Sequence, residues 1–342
     1  NHLTEEIWSG VRCINKGPGR MAGLFPAALA CCMILNGCSQ NTKIEDAFTA
    51  DRPGFGIQGQ SEDADISWFA KDLCVADEDV QQIEAEASDA LAACFFNLDT
   101  KEILYAKNIH ARLYPASTTK IMTALVALEQ GEGDLDAQTA VSQEAITFHE
   151  SGVATVKLKE GDVLTLRQLL YGLLTVSAND AANVIAEMTA GSMDEFVARM
   201  NEKAVQIGAT NTHFVNPNGL HDEEHYTTAY DLYLMFQEAM KYDTFLEVLK
   251  VPSYDVSYMA ADGTEVTATW ASSNQFTKGD VTVPDGVTAA GGKTGTTSAA
   301  KSCLVQLFED AQGQQYIAII LGCSDRSVLY QEMQSFLSDL NN

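Results

Sequence analysis

The residue pair best suited to chemistry is a serine and a lysine, Ser117 and Lys120, separated by two threonines. Side chains three positions apart on a helix share one face, so the lysine reaches the serine hydroxyl. Pro115 favours an extended residue before it, and an apolar helical period begins after the pair, which predicts that Ser117 starts a helix. The free N–H groups and positive dipole end of a first turn favour a neutral lysine and stabilise an oxyanion. The pair therefore predicts a serine nucleophile with a lysine base.

The Ser-x-x-Lys pattern is weak evidence alone, because serine is an ordinary N-cap residue and a second copy runs from Ser298 to Lys301. Two further motifs strengthen it. Ser177-Ala178-Asn179 falls where one helical pattern stops and the next begins, which predicts an exposed turn. Lys293-Thr294-Gly295 follows two glycines and is predicted to open a strand. Three motifs in this order, on a helix, a turn and a strand, indicate one catalytic site with a serine nucleophile.

The elements that must position these motifs are strands at both ends of a domain and helices between them. A chain of this kind predicts one antiparallel sheet whose N- and C-terminal strands pair, covered by helices, which is an α+β fold. The predicted strands are Ala93 to Asn97, Ile103 to Ala106, Gly291 to Thr297, Ser302 to Phe308 and Tyr316 to Gly322. The predicted helices run from Ser117 to Gly131, Thr165 to Leu174, Asp180 to Thr189, Met193 to Ile207, from near Thr228, and from Val328 to Leu340.

Charge and cysteine usage exclude several other classes of protein. The 342 residues include 47 acidic and 21 basic ones, for a net charge of −26, so nucleic acid is not an expected partner. Cys94, Cys303 and Cys323 lie in apolar runs and are predicted to be buried free thiols. The pair His221 and His225 lacks the glutamate that a zinc helix motif needs after its first histidine. We therefore predict no metal site and no cofactor.

The first part of the chain has the pattern of an exported protein. Residues 1–20 are expected to lie upstream of the folded protein, and the apolar run Met21 to Leu35, preceded by basic residues, predicts a signal over 21–38. Its end resembles a bacterial lipobox, so Cys38 is predicted to be lipidated; ordinary cleavage and an uncleaved anchor stay open. The acidic, polar stretch 39–88 predicts a tether, and 89–342 the catalytic domain.

The motifs resemble those of low-molecular-mass penicillin-binding proteins, the serine D-Ala-D-Ala carboxypeptidases of the peptidase S11 type. The similarity extends from about residue 90 to the end. It is carried by Pro115 to Thr123, Leu173 to Ala182, Phe214 to Leu220 and Thr228 to Asp231, together with the Lys-Thr-Gly motif. The resemblance implies a β-lactamase/transpeptidase-like fold, with an antiparallel sheet covered by a helical region.

The resemblance also implies roles for the catalytic residues. Lys120 would remove the proton from Ser117, which attacks the carbonyl of the penultimate D-Ala. Ser177 would relay a proton to the leaving D-Ala, and Asn179 would hold Lys120 and the substrate amide. The backbone N–H groups of Ser117 and Thr296 would form the oxyanion hole.

The remaining implied roles concern substrate and location. Lys293, with Thr294 or Thr296 beside Gly295, would bind the terminal carboxylate of the substrate, and Arg326 either assists there or is a surface arginine. The expected substrates are peptidoglycan pentapeptide stems ending in D-Ala-D-Ala, with β-lactams as covalent inhibitors of Ser117. The expected location is the outer face of the cytoplasmic membrane, through an N-terminal lipid anchor, or the cell wall.

Two other functions on the same fold stay open. A class A-like β-lactamase usually carries a water-activating glutamate some 35 residues after its second motif, and the stretch Gly208 to Gly219 has none. A non-catalytic β-lactam sensor would be acylated without turnover. The intact motifs disfavour that alternative without excluding it.

Overall fold

The computed structural model describes residues 72–85 and 87–341. The predictions for residues 1–71, including the signal, the lipidated Cys38 and most of the tether, lie outside the described residues. Across the described part of the chain, no helix has the length and hydropathy to cross a membrane.

The main sheet has six antiparallel strands: β1 (Val80–Gln81), β2 (Ala92–Asn97), β3 (Ile103–Lys107), β8 (Thr288–Thr297), β9 (Lys301–Glu309) and β10 (Gln315–Cys323). They lie side by side in the order β1-β3-β2-β10-β9-β8. The predicted hairpin of β2 and β3 is confirmed. The predicted pairing of N- and C-terminal strands is confirmed as well, since Cys94 of β2 lies opposite Ile319 of β10. The α+β fold is therefore as predicted.

The centre of this sheet is buried on both faces. Every residue of β2 is buried, and successive residues enter two different hydrophobic clusters: Cys94 and Phe96 join one, Ala93 and Phe95 the other. This alternation is the two-residue period of a strand between two apolar layers. Cys94, Cys303 and Cys323 are buried free thiols, as predicted, and Cys74 is a fourth.

Eight α-helices occur in the described part of the chain, and most of them cover the sheet or fill the space between the motifs. Their bounds are α1 (Lys120–Gly131), α2 (Leu166–Tyr171), α3 (Asn179–Ala190), α4 (Met193–Gln206), α5 (Ala229–Ala239), α6 (Asp243–Lys250), α7 (Gln275–Lys278) and α8 (Arg326–Leu337). Helix α5 contacts β2, β9 and β10, and α8 contacts β9 and β10. Since their apolar residues belong to different clusters, α5 and α8 cover opposite faces of the sheet.

A second sheet departs from the prediction of a single one. It has four antiparallel strands in the order β4 (Gln138–Ala140), β5 (Val163–Thr165), β6 (Ser253–Met259) and β7 (Glu265–Ala271). Two of these strands are three residues long, and the other two are partly exposed along their length. Such strands lack the continuous apolar runs that marked the main sheet, so no comparable sequence pattern predicted them.

The folded domain also begins earlier than residue 89, the predicted boundary with the tether. Cys74 is completely buried in the main cluster, and its N–H donates to the hydroxyl of Tyr233 at 2.8 Å. Strand β1 pairs with β3. Long-range packing of a polar, weakly patterned segment cannot be read from its local sequence, which explains the difference.

Candidate active site

The nucleophile turn, residues Ala116–Thr119, is a single 3-10 turn that leads directly into α1. The predicted helix start at Ser117 is therefore correct within one residue. Lys120 is the first residue of α1, and its Nζ lies 3.0 Å from Ser117 Oγ. Ala116, immediately before the serine, has a φ of +48°, in the left-handed region that residues with a Cβ rarely adopt.

Lys120 is held in a site that favours its neutral form. Its side chain is completely buried. Its Nζ lies 2.6 Å from Asn179 Oδ1 and donates to the backbone carbonyl of Asn218. Burial first, and then the charge of Lys293, hold the pKa of Lys120 well below its usual range. A neutral amine beside a serine hydroxyl is able to accept its proton.

The second motif forms a turn, but the turn is buried rather than exposed. A π-helical turn, Gly172–Val176, ends at Ser177, which has a left-handed φ of +67°. Ser177 is 6% exposed and Asn179 4%. The Asn179 N–H donates to the carbonyl of Ala154 at 2.8 Å, so a loop distant in sequence closes over the motif. The prediction of an exposed turn was wrong because that cover comes from tertiary packing.

The third motif lies in the middle of β8, not at its start. Lys293 is fully buried, and its Nζ donates to Ser177 Oγ and to the Thr294 carbonyl, both at 2.8 Å. Burial lowers the pKa of Lys293 to about 7. Thr294 Oγ1 lies 2.7 Å from Ser273 Oγ, on the segment after β7. The second and third motifs thus meet through a lysine–serine contact across 116 residues of sequence.

Gly295 lets β8 approach the nucleophile turn closely. A Cβ at this position would lie 2.9 Å from the Pro115 carbonyl oxygen and 3.0 Å from the backbone nitrogens of Ser117 and Thr118. Real Cβ atoms rarely approach other atoms so closely. The strand therefore packs against the turn backbone to backbone, and Thr296 comes to line the same cleft as Ser117.

The cleft above these residues is a cavity of about 540 Å³, within the usual range of ligand sites. Ser117, Asn179 and Thr296 line it, together with residues that the sequence analysis did not assign, among them Glu150 and His221. Arg326 is exposed at the start of α8 and is not among the lining residues.

Sequence reasoning missed three residues that contact the motif segments: Asn218, Ser273 and His225. Asn218 presents a backbone carbonyl, which side-chain chemistry does not reveal. The available signal was Gly219, next to it: its φ is +84°, and a Cβ there would lie 2.0 Å from the Ala116 carbonyl oxygen. Only glycine fits a left-handed position in such close contact.

The two histidines four residues apart have unrelated environments. His221 packs edge-on against the ring of Tyr114, whereas His225 is buried beside Thr119. Among residues 72–85 and 87–341, no group of three or more His, Cys, Asp or Glu side chains is arranged to hold a metal ion.

An antiparallel sheet between helices, with Ser-x-x-Lys, Ser-x-Asn and Lys-Thr-Gly motifs meeting at one cleft, defines the serine acyl-enzyme class that includes β-lactamases and penicillin-binding proteins. Comparison with known proteins narrows the class. Residues 79–325 match the model of the peptidase S11 family, D-alanyl-D-alanine carboxypeptidase. The chain therefore belongs to the peptidase S11 family.

Individual relatives agree with this assignment. The D-alanyl-D-alanine carboxypeptidase DacF of Bacillus subtilis is 34% identical over 73% of this chain, and the match spans 61% of the length of that relative. DacB2 of Mycobacterium tuberculosis is 36% identical over 66% of this chain and 72% of its own. Among solved structures, the Streptomyces K15 DD-transpeptidase matches with a TM-score of 0.68 and 30% identity, over 74% of this chain and 97% of that one.

Proposed function

We propose that the protein is a serine D-Ala-D-Ala carboxypeptidase that removes the terminal D-Ala of peptidoglycan stem peptides through an acyl-enzyme on Ser117. The observation that carries this proposal is the buried Lys120 amine, 3.0 Å from the Ser117 hydroxyl and with a strongly lowered pKa. Membership of the peptidase S11 family supports the same reaction and substrate class.

In the acylation step, neutral Lys120 takes the proton of Ser117, and Oγ attacks the carbonyl carbon of the penultimate D-Ala. The negative charge that develops on the carbonyl oxygen is stabilised by the N–H groups of Ser117 and Thr296. The close packing of Gly295 on the turn supports this assignment, because it places strand β8 beside the backbone nitrogen of Ser117, and Ser117 and Thr296 line the same cleft. Asn179 holds Lys120 through its Oδ1.

In the second half of the step, the bond between the carbonyl carbon and the leaving nitrogen breaks. Ser177 donates its hydroxyl proton to the nitrogen of the departing D-Ala and takes a replacement from Lys293. The 2.8 Å contact between Lys293 Nζ and Ser177 Oγ supports this role, as does a lysine pKa of about 7, which suits proton transfer near neutral pH. Water then hydrolyses the ester on Ser117. The proton on Lys120 returns to the Ser117 oxygen, one proton of the attacking water restores Lys293 by way of Ser177, and the peptide leaves with a free carboxyl group.

The terminal carboxylate of the substrate is bound beside Lys293 by the hydroxyl groups of Thr294 and Thr296. The hydroxyl of Ser273, 2.7 Å from that of Thr294, belongs to the same patch. β-Lactams acylate Ser117 by the same attack, because they present a carbonyl and a carboxylate in a similar arrangement.

We further propose that the protein works outside the cytoplasmic membrane, held there by a lipid on Cys38. The support is the order of basic residues, apolar run and lipobox-like end before Cys38. Expression of the full chain with labelled palmitate tests this: label in the wild type that disappears in Cys38→Ala supports the anchor. Equal labelling of both proteins contradicts it.

Release of free D-alanine from diacetyl-Lys-D-Ala-D-Ala tests the proposed reaction. We expect release by the wild type, none by Ser117→Ala, and none after treatment with penicillin. Stable penicillin labelling of Ser117 without release would instead indicate a sensor, and rapid hydrolysis of penicillin a β-lactamase.

A second arm of the assay adds glycylglycine as an acceptor. The Streptomyces K15 relative is called a carboxypeptidase in one comparison and a DD-transpeptidase in the other. Both reactions share the acyl-enzyme and differ in whether water or an amine releases it. We expect water to be the main acceptor, so free peptide acid should exceed the dipeptide adduct.

A further inference from the structure

His225 lies outside the three motifs, yet it is enclosed directly behind the nucleophile turn. It is 2% exposed, and its neighbour Thr119 is completely buried. Each ring nitrogen has a partner: Nε2 lies 2.8 Å from Thr119 Oγ1, and Nδ1 accepts from the Val215 N–H at 3.2 Å. The edge of the ring contacts Phe214. The imidazole is thus fixed at both nitrogens.

These contacts define the tautomer of His225. The Val215 N–H is only a donor, so Nδ1 carries no proton and Nε2 carries the single one. Nε2–H then donates to Thr119 Oγ1, and the Thr119 hydroxyl donates to the Ala116 carbonyl at 2.8 Å. Burial lowers the pKa of His225 to about 4, so the ring is neutral near pH 7. Donors and acceptors match at each link of this chain.

The chain of hydrogen bonds ends on the strained peptide that precedes the nucleophile. Ala116 has a φ of +48°, which needs support from its surroundings. Gly219 packs on the same carbonyl: an added Cβ would lie 2.0 Å from Ala116 O and 2.9 Å from Thr119 Oγ1. The neighbouring Asn218 carbonyl holds Lys120. Ser117 and Lys120, the two partners of the proton transfer, are therefore both positioned by backbone that contacts the hydrogen bonds linking His225, Thr119 and Ala116.

We propose that His225 is a positioning residue for catalysis: through Thr119 it holds the Ala116 peptide in its left-handed conformation, and through Val215 it holds the segment that presents Asn218 to Lys120. It exchanges no proton with Ser117. Without it, the peptide before Ser117 relaxes, and Oγ moves out of line with Lys120. This inference rests on the proposed function, since it concerns the acylation of Ser117.

The test compares acylation rates with a fluorescent penicillin by stopped flow. Thr119→Val removes the hydroxyl while keeping the shape, and His225→Phe removes both ring nitrogens. We expect each to lower the acylation rate constant at least tenfold and to leave the dissociation constant of the initial non-covalent complex within about threefold. A general loss of structure would change both constants, and thermal unfolding curves check it separately.

Conservative variants and a matched control sharpen the test. Thr119→Ser keeps the hydroxyl, so it should acylate much faster than Thr119→Val. His225→Gln keeps a donor toward Thr119, so it should acylate much faster than His225→Phe. The double variant with Thr119→Val and His225→Phe should acylate no more slowly than the slower single one, because both break the same chain. His213→Phe is the control, since His213 contacts the Glu224 carbonyl and not the nucleophile turn. Wild-type acylation rates in Thr119→Val or His225→Phe would overturn the proposal.

Nitrogen-15 NMR of labelled histidine provides a readout that does not depend on activity. We expect the shift pattern of an Nε2-protonated ring that stays neutral down to about pH 5. An Nδ1-protonated ring would overturn the proposal even if the variants acylate slowly. If penicillin fails to acylate the wild type, the proposed function fails and the catalytic role of His225 fails with it. If penicillin acylates the wild type and also acylates Thr119→Val and His225→Phe at the wild-type rate, the positioning role is refuted and the proposed function is not.

Discussion

Replacement of Gly295 by alanine tests whether strand β8 and the nucleophile turn are in direct backbone contact. The new Cβ would lie 2.9 Å from the Pro115 carbonyl oxygen and 3.0 Å from the nitrogens of Ser117 and Thr118. Ordinary contact begins at 3.4 Å, so the strand and the turn must separate by about 0.5 Å. Because Gly295 is in an extended strand, alanine adds no backbone strain, and the steric effect is isolated.

The expected effect follows from the geometry of acyl transfer. A separation of this size draws the N–H groups of Ser117 and Thr296 apart, which weakens the oxyanion hole. Loss of one such donor lowers rates about 100- to 1,000-fold, so we expect acylation about 100-fold slower, or about 2.7 kcal/mol in barrier height. Overpacking should lower the free energy of unfolding by about 1–3 kcal/mol, so the protein should remain folded.

Stopped-flow acylation with a fluorescent penicillin, together with D-alanine release, measures the effect. Gly133→Ala is the matched control, because a Cβ there meets no atom within 4 Å. It should acylate like the wild type. If Gly295→Ala also acylates at the wild-type rate while urea unfolding shows it folded, the strand and the turn are not in the close contact described, and the reasoning is refuted.

Three further outcomes are expected. Lys293 has a pKa of about 7 when folded and 10.5 as a free side chain, so the unfolded state binds more protons between these values and stability increases with pH there. Urea unfolding of the wild type and Lys293→Met should therefore give a difference in unfolding free energy that favours the wild type increasingly from pH 7 to 10. A constant difference would contradict the lowered pKa. Asp180 accepts hydrogen bonds from the backbone N–H groups of Val156 and Leu158 at 3.1 Å each. Asp180→Ala should lower the free energy of unfolding by about 1–3 kcal/mol and raise KM for the peptide, because this loop adjoins the cleft. An unchanged KM would show that the loop does not affect substrate binding. Glu332, 6% exposed on α8, accepts hydrogen bonds from the N–H groups of Asp89 and Ala90, just before β2. Glu332→Ala should lower the free energy of unfolding by about 2 kcal/mol and leave the acylation rate unchanged. Slow acylation of the folded variant would show that α8 influences the cleft.

The sequence predicted those parts of the molecule that depend on neighbouring residues. The start of a helical segment near Ser117, its end at Gly131 and the apolar run of β2 are properties of a few consecutive residues, so their pattern was sufficient. The order of the motifs was also informative, because it assigned Ser117, Ser177 and Lys293 to one site before any distance was known. Their residue types indicate a serine nucleophile with a lysine base.

The second sheet, the early domain boundary and the position of Arg326 were not predictable in the same way. Strands β6 and β7 are partly exposed, and the residues near Cys74 have no clear period, so their pairing and burial depend on distant partners. Arg326 is exposed at the first position of α8, and that exposure follows from the packing of the helix rather than from the residues beside it.

The state of the two lysines was decided by the tertiary structure alone. Lys120 acquires the Asn218 carbonyl from 98 residues away, and Lys293 acquires Ser177 from 116 residues away. Both become completely buried only when β8, α3 and the Asn218 segment close around them. The sequence supplied an amine beside a serine; desolvation, which only the folded chain provides, lowers the pKa of that amine and turns an ordinary lysine into a base.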